Sequence, residues 1–347
     1  MKPDWKHFLI DHGAEFEGDS LVSFGNPERE RRIPPQGAIL CDLSHFGLIS
    51  VTGDDAASFL QGQLTNDIKL VSETHSQLSA YCTPKGRVLA TFFVTQRQGI
   101  YYLSVARDLL EPVLKRLRMY VMRSKVVLED ASASLVHFGY AAPDGDERLK
   151  AIFGKAPEQA YDTIQVNNLT IMRQPAPIPR FKILGELEES RRLWERLNVN
   201  AACVGRNGWD YFNIMSGVPM VTANSAEAWV PQMMNMHLIG GVSFTKGCYP
   251  GQEIVARLKY LGKSKRQMYR IGIPHCIKRP LAGTHLTSAT DSEAGTILNA
   301  TINPDGYVEA LAVMKIAEVR NPLHFGEYPV KVLELPYPLE SEAASAS

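Results

Sequence analysis

Residues 47–130 carry the pattern that most constrains the fold. Apolar stretches with strand alternation and two stretches with helical spacing follow one another, separated by turn residues. Strands are predicted at residues 48–52, 78–82, 88–95, 100–105 and 126–128, and helices at 56–64 and 110–121. The resulting order, β-α-β-β-β-α-β, is that of a ferredoxin-like split βαβ unit with one added strand.

The rest of the chain predicts further modules of different character. A weaker α+β pattern runs to about residue 265, and short strands divided by Gly, Pro and Asp turns then predict a small β-barrel. We therefore predict an α+β protein with five segments. These are an N-terminal arm (1–37), a ferredoxin-like module (38–130), a second α+β module (131–265), a C-terminal β-barrel (266–338) and a disordered tail (339–347).

Composition excludes several classes of protein. The 347 residues contain 37 basic and 37 acidic side chains, so bulk charge does not indicate a nucleic-acid binder. Five scattered cysteines without a C-x-x-C pair predict neither a zinc site nor a disulfide framework. No apolar run approaches the roughly 18 residues of a membrane span. These features predict a reduced, cytoplasmic protein with no metal site of its own.

The octamer Lys246–Glu253, Lys-Gly-Cys-Tyr-Pro-Gly-Gln-Glu, is the strongest functional signal. Cys248 lies between two glycines in a predicted turn, which suits a displayed thiol better than core packing. An inert buried cysteine is the alternative. Gln252 and Glu253 fit either a ligand role or the first turn of a helix. No histidine follows closely, so a Cys–His catalytic pair is not predicted.

A basic stretch and two aromatic residues are the other candidates. Residues 246–270 contain seven cations, including Lys246 and Arg257, against Glu253 alone, with three tyrosines, among them Tyr249, interleaved. Such a stretch is either a solvated face or a site for a polyanion, such as a polyglutamate tail or an RNA backbone. Trp209 and Phe46 either pack in the core or stack on a planar ligand.

Together these motifs resemble the YgfZ-type folate-binding proteins, relatives of the glycine-cleavage T-protein. The resemblance covers about residues 38–340 and rests on the octamer with residues 254–257, 262–266, 231–244, 51–67, 84–87 and 335–339. It implies two interleaved α+β modules and a barrel around a central folate channel. It further implies support of iron–sulfur enzymes, including those that thiolate tRNA, with Cys248 required. Trp209 would stack on the pterin, and Phe46 stands where relatives have tryptophan.

Two departures from the T-protein bear on activity. Ala90 and Thr91 stand about where that enzyme has its acidic pair, and neither can act as a base. Met215 stands where relatives have a pterin-binding glutamate, and a thioether cannot make its paired hydrogen bonds.

The prediction is therefore a non-metabolic accessory protein, for which enzymatic activity is disfavoured and not excluded. It would bind tetrahydrofolate or a related reduced folate through Trp209, Phe46, Lys246, Tyr249 and Arg257, and use Cys248 to support iron–sulfur client proteins. Involvement of tRNA would be indirect. The alternatives are a tetrahydrofolate-dependent aminomethyl or methyl transferase and, least favoured by the neutral net charge, a tRNA-binding module.

Overall fold

The N-terminal segment packs against the body of the protein. The computed structural model describes residues 1–18, 20–262 and 264–339. Its first elements are α1 (Pro3–Asp11), β1 (Glu15–Glu17), β2 (Ser20–Ser23), α2 (Pro27–Arg32) and β3 (Ile39–Asp42). Trp5 on α1 packs edge-on against Trp194 and donates its Nε1–H to Asp42 at 2.9 Å. The segment predicted as an arm thus contributes to a hydrophobic core.

The first module forms a five-stranded antiparallel sheet. Its elements are β4 (Phe46–Thr52), α3 (Ala56–Gln61), β5 (Gln77–Cys82), β6 (Val88–Arg97), β7 (Ile100–Ala106), α4 (Leu110–Met119) and β8 (Val127–Asp130). The strand order is β5-β6-β7-β4-β8. Helix α4 buries Leu110, Val113, Leu114 and Leu117, whose spacing places them on one helical face. The predicted order of elements is confirmed.

The second module is a six-stranded sheet of order β10-β11-β12-β9-β3-β13. Its further elements are β9 (Val136–Ala141), α5 (Gly145–Phe153), β10 (Thr163–Val166), β11 (Leu169–Arg173), β12 (Arg180–Gly185), α6 (Leu187–Asn198), β13 (Ala202–Cys203) and α7 (Arg206–Met215). Strand β3 precedes the first sheet in sequence but lies inside this one, pairing with β9 and β13. The modules are therefore interleaved, and the predicted segment 38–130 begins with a strand of the other sheet.

The remaining elements in the described ranges are one α-helix and six strands, and the strands form a closed barrel. They are α8 (Gln252–Tyr260), β14 (Arg266–Ile273), β15 (His285–Ser288), β16 (Gly295–Ile302), β17 (Val308–Lys315), β18 (Leu323–Phe325) and β19 (Tyr328–Leu333). The barrel order is β14-β17-β16-β15-β18-β19. The predicted α+β architecture with a C-terminal barrel is confirmed. Of the predicted tail, Leu339 is buried in the barrel core, and residues 340–347 lie outside the described residues.

Across the described ranges, no helix has both the length and the apolar character that a membrane crossing requires.

Candidate functional site

A small cavity lies between the two sheets. The first sheet contributes Phe46, Thr91, Phe93 and Ser104, and the second contributes Lys182, with Gln174, Asn213 and residues 218–220 completing the wall. Its volume is about 50 Å³. Ligand sites for drug-sized molecules occupy about 300–1,000 Å³, so this conformation has no room for a pterin.

Lys182 fills the space that a planar ligand would need. Its Nζ lies 4.4 Å from the ring centroid of Phe46 and 5.1 Å from that of Phe93. The ammonium donates to Ser104 Oγ at 3.3 Å. Burial lowers the pKa of Lys182 to about 7, with the neighbouring Arg180 charge acting in the same direction. A pterin could reach the Phe46 ring on this side only after the Lys182 side chain moves.

Trp209 on α7 is fully buried. Its six-membered ring lies against Gly139 of β9, where a Cβ atom would come within 2.3 Å of Trp209 Cζ3. The guanidinium of Arg180 lies 4.7 Å from the Trp209 ring centroid. Gly139 is thus required for the indole to pack on the sheet. Stacking of Trp209 on a pterin stays a prediction, and it would require Arg180 to be displaced.

The resemblance places acidic residues of the T-protein and its relatives at three positions near this cavity, and this chain has none of those carboxylates. Thr91 lines it, with Oγ1 accepting a hydrogen bond from the backbone N–H of Val221 at 3.1 Å, and Ala90 is buried beside it. Met215 is half-buried and packs with the cluster around Trp209. Among the described residues that line the cavity there is no aspartate or glutamate. This lining offers no carboxylate of the kind that the T-protein uses in aminomethyl transfer.

The octamer loop is locked onto the first sheet by contact between two glycines. Gly251 has φ +83°, and a Cβ atom there would lie 2.5 Å from both Gly86 Cα and the carbonyl oxygen of Thr83. These atoms belong to the turn between β5 and β6, which is backbone and cannot move aside as a flexible side chain can. The two turns therefore fit together only with glycine at position 251. Helix α8 begins directly after it.

Lys246 anchors the other end of the same loop. Its Nζ donates to the carbonyl oxygens of Gln61 at 2.6 Å, Leu64 at 2.5 Å and Asn66 at 3.2 Å. An ammonium has three N–H donors, so these contacts use all of them. Binding a folate tail through Lys246 would require breaking them. The same ammonium lies 5.2 Å from the ring centroid of Tyr249, which is itself buried.

Between these two anchors the thiol is presented to solvent. Cys248 is exposed and is not in a disulfide. A Cβ atom on the preceding Gly247 would meet nothing within 4 Å, and the φ of Gly247 is not positive. Neither packing nor backbone conformation explains a glycine at 247. The open space beside the thiol leaves room for a partner to approach.

The basic stretch does not form one continuous charged face. Lys246 is buried, and Arg270 pairs with Glu309 on the barrel at 2.8 Å. Arg257 and Lys265 are exposed, and Lys263 lies outside the described residues. The count of seven cations therefore overstates the charge that a polyanion could meet.

The predicted site residues divide into two groups. Phe46 lines the cavity and Trp209 packs behind its wall, whereas Lys246, Cys248, Tyr249 and Arg257 are absent from the cavity lining. Sequence reasoning missed Arg180 and Lys182. Their spacing of two residues places both cations on one face of a strand, but nothing in the sequence shows that this face is buried.

Similarity to known proteins agrees with this architecture. The family model of the GCVT N-terminal domain matches residues 15–188. The tRNA-modifying protein YgfZ of Yersinia pestis (strain Pestoides F) is 32% identical over 279 residues, covering 79% of this chain and 84% of that protein. YgfZ of Colwellia psychrerythraea is 32% identical over 233 residues, covering 66% and 70%. The chain belongs to the YgfZ family.

A solved structure shares the fold of this YgfZ-family chain. The glycine cleavage system aminomethyltransferase T from Bartonella henselae superposes with a TM-score of 0.74 over 97% of each chain, at 16% sequence identity. The superposition establishes a common fold, and the low identity leaves the chemistry to be argued from this chain's own residues.

Proposed function

We propose that this protein is a folate-binding accessory factor that supports iron–sulfur enzymes, including tRNA-modifying ones, through the thiol of Cys248. The observation that carries the proposal is the rigid display of that thiol. Gly251 and Lys246 fix the two ends of the loop, Cys248 between them is exposed, and Gly247 keeps its approach open. A single thiol cannot hold an iron–sulfur cluster alone, so it would act together with ligands from a client protein.

The lining of the cavity supports folate binding in its chemistry. Phe46 and Phe93 offer aromatic faces, and the amides of Gln174 and Asn213 can both donate and accept hydrogen bonds, as a pterin edge requires. The volume does not suffice until Lys182 moves. We therefore place the folate at this cavity after rearrangement of Lys182, and assign it no catalytic step.

The transferase alternative receives less support. A T-protein-like transfer needs a carboxylate at the reacting centre, and Thr91 and Met215 cannot supply one. Turnover of aminomethyl or N-methyl substrates with tetrahydrofolate should be undetectable.

The role of Cys248 is tested by complementation. Cells that lack this protein should contain less thiolated tRNA, and the parent chain should restore it. We expect Cys248→Ala to restore at most about a tenth of the thiolated tRNA that the parent chain restores, because alanine removes the nucleophile and metal ligand. Cys203→Ala is the matched control, since Cys203 is half-buried and donates to Asn198. Full rescue by Cys248→Ala would contradict the proposed role.

Folate binding is tested by titrating the purified protein with tetrahydrofolate. Saturable quenching of tryptophan fluorescence is expected in the parent. Phe46→Ala should bind about tenfold more weakly, because loss of one aromatic contact is worth about 0.5–1.5 kcal/mol beyond buried area. Phe59→Ala, which alters a buried aromatic residue outside the cavity lining, controls for general loss of packing. Absence of saturable quenching in the parent would count against folate altogether.

A further inference from the structure

Lys182 lines the cavity between the two sheets, and Arg180 lies two residues before it on β12; within the described part of the chain neither buried cation has a partner of opposite charge. Arg180 and Lys182 are 1% and 6% exposed, and neighbouring odd or even positions of β12 share one face of the sheet. Within the described ranges, neither forms an ion pair with an acidic side chain. Charges buried in proteins are normally paired or bound to a ligand, because an isolated one is costly to desolvate.

Two acidic groups on the same module, Asp210 and Glu186, already have other partners. Asp210 binds Arg206 at 3.0 Å and Arg279 at 3.2 Å. Glu186, at the end of β12, lies 3.9 Å from Arg97. These two carboxylates therefore do not neutralise Arg180 and Lys182.

Unused hydrogen-bond donors accompany the unmatched charge. The Lys182 ammonium has Ser104 Oγ as its protein acceptor and lines the cavity with the rest of its head group. Arg180 donates to Asn213 Oδ1 and to the carbonyl oxygen of Pro175, while its Nε is buried without a partner in the described part of the chain. Lys182 thus presents positive charge and spare donors to the cavity, Arg180 adds positive charge from the same strand, and the described lining contains no carboxylate.

The size of the cavity limits what can supply that acceptor. One water molecule occupies about 10–15 Å³ of cavity volume. A cavity of about 50 Å³ therefore holds roughly three to five non-hydrogen atoms. Apolar walls from Phe46, Phe92 and Phe93 surround the charged side. A formate or acetate ion meets these conditions, with its oxygens toward the cations and any methyl group toward the rings.

We propose that Lys182, backed by Arg180, forms a binding site for a small carboxylate in the central cavity. The site is independent of folate, because its volume and its charge are those of the structure before any rearrangement. A carboxylate would satisfy the ammonium with a charge-assisted hydrogen bond and offset the cost of burying both cations.

Titration of Lys182 provides a handle on this site. Its pKa, lowered by burial to about 7, places the change from cation to neutral amine in an accessible range. The groups that face it are Arg180 on β12, His137 on β9 and His45 before β4. Burial lowers the pKa of Arg180 only to about 9, lowers that of His45 to about 3, and lowers that of His137 well below its usual range. Between about pH 6 and pH 8, Lys182 thus changes charge, whereas Arg180, His45 and His137 keep theirs.

The experiment uses the full chain and sodium acetate, followed by saturation-transfer NMR of the acetate methyl group. Ionic strength is held with sodium gluconate, whose anion exceeds the cavity volume. We expect saturable binding in the millimolar range, which the known limit on affinity per atom allows for about four non-hydrogen atoms. Affinity should be about tenfold weaker at pH 8 than at pH 6, because a pKa near 7 leaves about a tenth of Lys182 charged at the higher pH.

The charge-removing variant is Lys182→Met, which keeps the length of the side chain. It should lose at least tenfold in acetate affinity. Lys125→Met, at a lysine whose side chain is 77% exposed, should bind as the parent does. Equal binding by Lys182→Met, no saturable signal in the parent, or binding independent of pH would overturn the proposal. The pH series needs no variant, so it decides the question even if Lys182→Met does not fold.

A tetrahydrofolate titration on the same samples separates this site from the proposed function. Acetate binding without folate binding supports the carboxylate site and removes the folate proposal. Folate binding without acetate binding supports the folate proposal and removes the carboxylate site.

Discussion

Replacing Gly251 with alanine should destabilise the protein by about 3 kcal/mol. The left-handed backbone at φ +83° costs a residue with a side chain about 1–2 kcal/mol. In addition, the new Cβ would lie 2.5 Å from two backbone atoms of the facing turn, and relieving such overpacking typically costs about 1–3 kcal/mol. The free energy of unfolding, measured by urea titration, is the appropriate quantity.

The octamer supplies its own control for Gly251→Ala. At Gly247 an added Cβ would meet nothing within 4 Å, and φ is not positive there. Gly247→Ala should therefore change the free energy of unfolding by less than about 0.5 kcal/mol, as surface substitutions usually do. Similar losses for the two variants would show that the contact between Gly251 and Gly86 does not hold the loop. Gly247→Ala should instead weaken the cellular rescue, if the space beside Cys248 serves a partner.

The comparison of these glycines shows what the sequence could and could not reveal. Both flank the same cysteine, and both are turn-forming residues, so the sequence alone treats them alike. The distinction arises from residues 83–86, more than 160 positions away, whose turn meets Gly251 and leaves Gly247 free. Contacts between distant turns leave no local pattern.

Secondary structure was predictable where burial follows a local period. Helix α4 and strands β4 to β8 appear in the sequence because their apolar residues repeat at helical or strand spacing. The two-residue strand β13 and the three-residue strand β18 are too short to show a period. Strand β3 was not predicted, and its place between β9 and β13 depends on tertiary pairing.

Site chemistry was hardest to predict for charged residues. In the sequence Lys246 counts as one cation of a basic stretch, whereas in the structure it is a buried donor to three carbonyls. Lys182 and Arg180 look like ordinary strand residues until the fold buries them beside an aromatic cavity. A charge has no preferred partner in sequence, so its role follows from the fold.

Replacing Lys246 with methionine should also cost about 3 kcal/mol in the free energy of unfolding. Methionine keeps the aliphatic stem, so the change mainly removes the donors to Gln61, Leu64 and Asn66. A buried carbonyl that loses its partner costs about 1–3 kcal/mol, and partial access of water to the loop reduces the sum over three carbonyls. The midpoint of urea unfolding should fall while its slope stays constant.

Lys265→Met is the matched control, because Lys265 is an exposed cation of the same basic stretch. It should change the free energy of unfolding by less than about 0.5 kcal/mol. If Lys246 instead serves mainly to bind an anionic ligand, Lys246→Met should leave stability unchanged or raised, since an unneeded buried charge would be gone. The sign of the change in stability therefore distinguishes a structural anchor of the Cys248 loop from a ligand-binding cation.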